Sequence, residues 1–103
     1  MVSVIATIKA KVGKENEVHD LLKKLVEHTH KEPGCLTYAL HRSQSDPSTY
    51  IFVEKWASEK DLQAHFQTAH VQDAMRRKDD LIDVLDISPL IALGGGLSQK
   101  NTF

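Results

Sequence analysis

A chain of 103 residues holds one hydrophobic core, and its 41% hydrophobic and 26% charged content reads as a single globular, soluble domain rather than a disordered chain. A formal net charge of −1 gives no electrostatic footprint for nucleic acid or an anionic membrane, and no apolar run approaches transmembrane length. One cysteine, Cys35, excludes an internal disulfide and suits a reducing compartment, and the first residues lack the basic region of a signal peptide, so the expected location is the cytoplasm.

Val2 to Lys11 alternates, with Val2, Val4, Ala6, Ile8 and Ala10 on one face, which predicts a half-buried strand. Gly13 breaks it. A helix is expected from about Lys14, with Val18, Leu21, Leu22, Leu25 and Val26 forming one apolar stripe. Glu15 and Glu17 sit near its positive end and Lys23, Lys24 and Lys31 toward its negative end. Pro33-Gly34 stops the helix. Cys35 to Arg42 predicts a second strand, with Leu36, Tyr38 and Leu40 on one face, and Ser43 to Ser48 its turn.

Tyr50 to Trp56, rich in β-branched and aromatic residues, predicts the third strand. Ser58, with Asp61 three residues on, forms a capping-box-like start to a second helix. Its apolar face is expected to run Leu62, Phe66, Ala69, and His65 falls on that same face. A joint at Thr68-Ala69 separates this helix from a continuation carrying Val71, Ala74 and Met75. Arg76 to Asp80 reads as a solvated charged end. The last strand is expected over Val84 to Ile91, with Pro89 favouring an edge or an end. Residues 1–93 thus form one domain, and Gly94-Gly95-Gly96 opens a flexible tail, 94–103.

The order β-α-β-β-α-β is that of a ferredoxin-like α+β fold: an antiparallel four-stranded sheet with both helices on one face. Both faces of the strands carry apolar residues, Ile5 against Val4 and Ile51 and Val53 against Phe52. A second sheet is therefore expected over the open face, in a homodimer packed sheet to sheet and completed by an exchanged C-terminal segment.

Three stretches carry a resemblance: Glu-Pro-Gly-Cys-Leu-Thr-Tyr at 32–38, Glu-Lys-Trp-Ala-Ser-Glu-Lys-Asp-Leu at 54–62 and His-Phe-Gln-Thr-Ala-His at 65–70. Together they resemble the antibiotic biosynthesis monooxygenase family, and the resemblance runs from about Val2 to Leu93. It implies a dimeric α+β barrel and oxygenation without bound flavin, haem or metal. An electron-rich quinol- or anthrone-like aromatic would be deprotonated, and its anion would pass an electron to O₂. Such chemistry asks the protein for an apolar cavity, a base and polar groups that orient the phenol.

On that reading His65 is the candidate base, since an imidazole kept neutral by burial titrates in the useful range. Set against it is the plain role of a core histidine bonded to a backbone carbonyl. Trp56 is placed to wall the cavity, Tyr38 and Glu54 to orient a phenol if they face the helices, and Phe66 and Met75 to line it. His70 belongs to the motif but stands about 140° around a continuous helix from His65, so one ion could not take both unless the joint bends the chain. No metal is expected, because no HEXXH, CXXC or acidic cluster is present. His19, His28, His30 and His41 read as surface or helix-end residues, and Cys35 as a small buried residue with nothing to activate it.

Haem-degrading members resemble this chain in fold but use asparagine, tryptophan and histidine at positions that fall near Ala6, His65 and Met75. None matches, so haem degradation is not expected. Two alternatives share the fold: a small-molecule-binding or stress-related dimer without turnover, and an isomerase of a small signalling molecule.

Overall fold

The alternation of the first residues forms β1 (Val2–Ala10), whose even-numbered side chains from Val4 to Ala10 are buried. Helix α1 (Glu15–Thr29) buries Val18, Leu22, Leu25 and Thr29 from its apolar stripe. It ends four residues before Pro33. Strands β2 (Cys35–Arg42) and β3 (Thr49–Trp56) follow as a hairpin. Asp46 fixes the turn between them by accepting from the Ser48 amide, the Ser48 hydroxyl and the Thr49 hydroxyl. The computed structural model describes every residue from Met1 to Phe103.

Helix α2 (Glu59–Phe66) begins as its sequence demands, with Ser58 Oγ accepting from the Asp61 amide at 3.1 Å. Thr68 makes the joint. Its hydroxyl donates to the His65 carbonyl at 2.7 Å, satisfying the end of α2, and accepts from the Val71 amide to cap α3 (Ala69–Arg76). Ala69 is exposed rather than on the apolar face, because the chain turns there and Val71 takes the buried position. The expected charged end holds a further short helix, α4 (Lys78–Leu81), whose Leu81 is buried. Strand β4 (Ile82–Leu90) starts two residues earlier than the alternation indicated.

All pairings are antiparallel and the strand order is β2-β3-β1-β4, so Pro89 lies on an edge strand as expected. The ferredoxin-like arrangement is therefore present, but the barrel is not. Strands β2 and β4 lie at opposite edges and do not pair with each other, so the sheet stays open. Four strands are too few to close around a packed interior. The core instead fills the space between the sheet and the helices laid across one face. The other face leaves Ile5, Ile51 and Val53 only partly covered, with Val53 directly opposite Ile5.

Candidate active site

Because β-strand side chains alternate, Tyr50, Phe52, Glu54 and Trp56 all point from β3 toward the helices. Pairing of Tyr38 with Glu54 puts the phenol on the same side. Tyr38, Phe52 and Glu54 floor an apolar cavity of about 230 Å³ between the sheet, α1 and the α2–α3 pair. Leu21, Leu22 and Leu25 of α1 form one wall, and Phe66, Val71 and Met75 of the α2–α3 pair another. Met75 and Ile87 are among its more exposed lining residues, and Lys78 also lines it.

The polar groups in this apolar space are few. Glu54 is 4% exposed, and its carboxyl accepts a hydrogen bond from Trp56 Nε1 at 3.0 Å. Burial pushes its pKa up to about 7, against the pull of the Trp56 donor and with a smaller push from the Glu32 charge. The same burial, with the Glu54 charge adding to it, holds the Tyr38 phenol protonated well above its ordinary range. Behind the floor, the fully buried Trp56 ring lies 4.5 Å from the His65 ring, centroid to centroid. The Tyr38 ring meets His65 edge-on at 5.4 Å.

His65 is 3% exposed, in the last turn of α2. Its Nδ1 lies 2.7 Å from Glu32 Oε2, and His70 Nε2 reaches the same oxygen at 2.8 Å. A carboxylate can only accept, so the neutral His65 ring carries its proton on Nδ1 and leaves a lone pair on Nε2. His65 lines the cavity while its Nδ1 partner Glu32 and His70 do not. Burial lowers the His65 pKa, opposed by Glu32, which keeps the ring neutral below its ordinary 6.5.

Glu32 is held by a tight fit. After α1 ends, the Glu32 amide donates to the Thr29 carbonyl and the Cys35 amide to the Glu32 carbonyl. Gly34 lies against the first turn of α2, where an added Cβ would overlap the Asp61 side chain, and its carbonyl accepts from Ala57. The loop is thereby pinned beside α2, with its carboxylate facing His65.

The profile described as Antibiotic biosynthesis monooxygenase matches residues 1–77. The chain belongs to this family. YcnE of Bacillus subtilis, a provisionally assigned monooxygenase, is 31% identical over 88 residues, which cover 84% of this chain and 93% of that protein. YgiN of Escherichia coli, described as a probable quinol monooxygenase, is 32% identical over 82 residues, covering 70% and 79% of the two chains. The crystal structure of PA3566 from Pseudomonas aeruginosa superposes with a TM-score of 0.85 at 30% identity, covering 90% of this chain and 94% of that one. An uncharacterized protein of Synechocystis, sll1783, is 29% identical over 79 residues, and the matched region spans 54% of its length. Membership supports enzymatic potential of the monooxygenase type, and the buried acid–histidine cluster beside an aromatic, apolar cavity is consistent with such a site.

Of the residues singled out in this family member, Tyr38, Glu54, His65, Phe66 and Met75 share the cavity lining. Trp56 stands behind the lining as the donor to Glu54, and His70 bonds the same Glu32 oxygen as His65. The geometric premise that His65 and His70 diverge holds only for an unbroken helix. The Thr68 joint bends the chain, and their ring centroids come within 6.1 Å. Nor are all the remaining histidines idle: His28 stacks on His70 at 5.6 Å, and His30 Nε2 bonds the Tyr38 carbonyl at 2.9 Å. Glu32 itself was missed. Its only signal is that it opens the Glu-Pro-Gly motif, and a partnership with residues 33 and 38 positions away leaves no mark in local spacing.

Proposed function

We propose that this protein is a cofactor-independent monooxygenase for a quinol of one or two rings, with His65 as the base. The observation that carries the reading is the hydrogen bond of His65: its Nδ1–H donates to Glu32, which leaves the lone pair on Nε2 of a neutral, buried imidazole that lines the cavity. That nitrogen takes the proton of a bound quinol hydroxyl. The resulting anion is electron-rich enough to reduce O₂ by one electron. Recombination of the two radicals and loss of water put one oxygen atom into the ring and release the other as water. The quinol supplies all the electrons, and the product is a hydroxyquinone.

Glu54, with a pKa of about 7, exchanges protons near neutrality and binds the second hydroxyl. Tyr38 stays protonated and donates to a phenolate. The cavity is smaller than the roughly 300–1,000 Å³ usual for drug-sized ligands, which favours a compact quinol over a three-ring anthrone. The similarity to YgiN, described as a probable quinol monooxygenase, supports the quinol class. The reducing cytoplasm that the lone thiol suits is the setting of this reading.

Labelled oxygen tests the reaction. Turnover of a naphthohydroquinone under ¹⁸O₂ by chelator-treated protein is expected to give a hydroxyquinone carrying one ¹⁸O atom. Quinone formed without label, or no turnover above autoxidation across one- and two-ring quinols, contradicts the assignment. The same reading includes a sheet-to-sheet homodimer, supported by the partly covered Ile5, Ile51 and Val53 and the 46% exposed Val84. Sedimentation equilibrium should return twice the chain mass, and a monomer at micromolar concentration contradicts that part.

A further inference from the structure

We infer that Glu32, His65 and His70 form a binding site for a divalent transition ion of the zinc class. Each offers one ligating atom, and the three atoms lie within 4.8 Å of one another. They come from three separate elements: the loop after α1, the end of α2 and the first turn of α3. Two imidazoles and one carboxylate suit zinc, with a fourth position left for water.

The present contacts of 2.7 and 2.8 Å are hydrogen bonds. A tetrahedral ion about 2.0–2.2 Å from each donor needs donors about 3.4 Å apart, so each Glu32–histidine spacing must open by roughly 0.6 Å while the two histidine nitrogens, within 4.8 Å of each other, settle to the same separation. The Glu32 side chain can provide that by rotation, because its carboxyl bonds nothing except the two imidazoles.

Charge and access agree with the donor set. The Glu32 carboxylate has no lysine or arginine partner, and the two groups beside it are histidines. A divalent ion supplies the countercharge that this half-buried carboxylate lacks. The side chains of Glu32 and His70 retain 13% and 18% exposure while that of His65 retains 4%, so an ion enters from the solvent edge and not through the cavity.

One consequence rests on the proposed base role; the binding itself does not. An ion on Nδ1 occupies the position of the proton there, so the neutral His65 ring must carry its proton on Nε2. The lone pair on Nε2 is then gone, and quinol deprotonation stops while the ion is bound.

Calorimetric titration of Zn²⁺ into the chelator-stripped full chain, with the Co²⁺ absorption spectrum as a second readout, tests the site. One ion per chain and intense visible bands of tetrahedral Co²⁺ are expected. His70→Ala and Glu32→Gln should each weaken Zn²⁺ binding at least tenfold, while His41→Ala, at an exposed position on β2, should bind as the native chain does. Circular dichroism checks that each variant is folded, and Glu32→Gln decides the matter should His70→Ala unfold. Absence of bound ion, or affinity unchanged in the folded variants, overturns the site. Loss of quinol turnover without metal contradicts only the proposed function, whereas absent Zn²⁺ binding contradicts only this inference.

Discussion

The lone pair of His65 stands on Nε2 because Nδ1–H donates its hydrogen bond to Glu32, so the two residues are expected to affect turnover differently. In the proposed reaction His65 takes the substrate proton and Glu32 only fixes the ring. Glu32→Gln allows an amide NH₂ to face Nδ1 and the ring proton to move to Nε2. We expect kcat to fall by about tenfold or more with KM little changed, since Glu32 lines none of the cavity. Unchanged kcat, or a loss confined to KM, contradicts the positioning role. Glu54 makes a separate prediction about stability. Its folded pKa of about 7 lies above its ordinary 4.5, so the folded state binds the proton more tightly than the unfolded one. Its favourable contribution is complete below about pH 4.5 and is lost as pH rises through 7, a difference of about 3 kcal/mol. Glu54→Gln, which keeps an acceptor for Trp56 Nε1, should therefore raise Tm at pH 8 and leave it nearly unchanged at pH 4. A variant no more stable than the native chain at pH 8 contradicts the buried, raised carboxyl.

At the scale of elements, the site depends on how the loop after α1 meets the start of α2. Gly34→Ala forces a methyl group into the Asp61 side chain, which is itself engaged with Ser58 in the helix cap. We expect a loss of about 1–3 kcal/mol by chemical denaturation, together with reduced turnover as Glu32 shifts. Full stability would mean that the loop is not pinned. This contact shows where sequence reading stops. Ser58 and Asp61 announced a helix start because capping is local, and Thr68-Ala69 announced a joint because a hydroxyl there caps the next turn. That Gly34 docks on Asp61, and that Glu32 thereby reaches His65, depends on the packing of two elements far apart in the chain. Ala69 was misplaced for a related reason: helical periodicity was carried across the joint that ended it.

For the whole molecule, alternation in β1 and β3, the apolar stripe of α1 and the edge proline of β4 were enough to read the β-α-β-β-α-β order. The barrel did not follow from those patterns. An apolar second face says that something covers it, and nothing about strand closure. The cavity's place was half legible. Strand alternation fixed which residues share a face, but only the assembled sheet decided that Tyr38 and Glu54 face the helices. We propose that this apolar cavity, with His65 in its lining, oxygenates a quinol through a base. Oxygen uptake with naphthohydroquinone, measured on chelator-treated native protein and on folded His65→Ala, tests it most directly. Uptake above the autoxidation rate is expected from the native chain, with a drop of roughly 10²- to 10⁴-fold in the variant. Equal uptake by both proteins would contradict it.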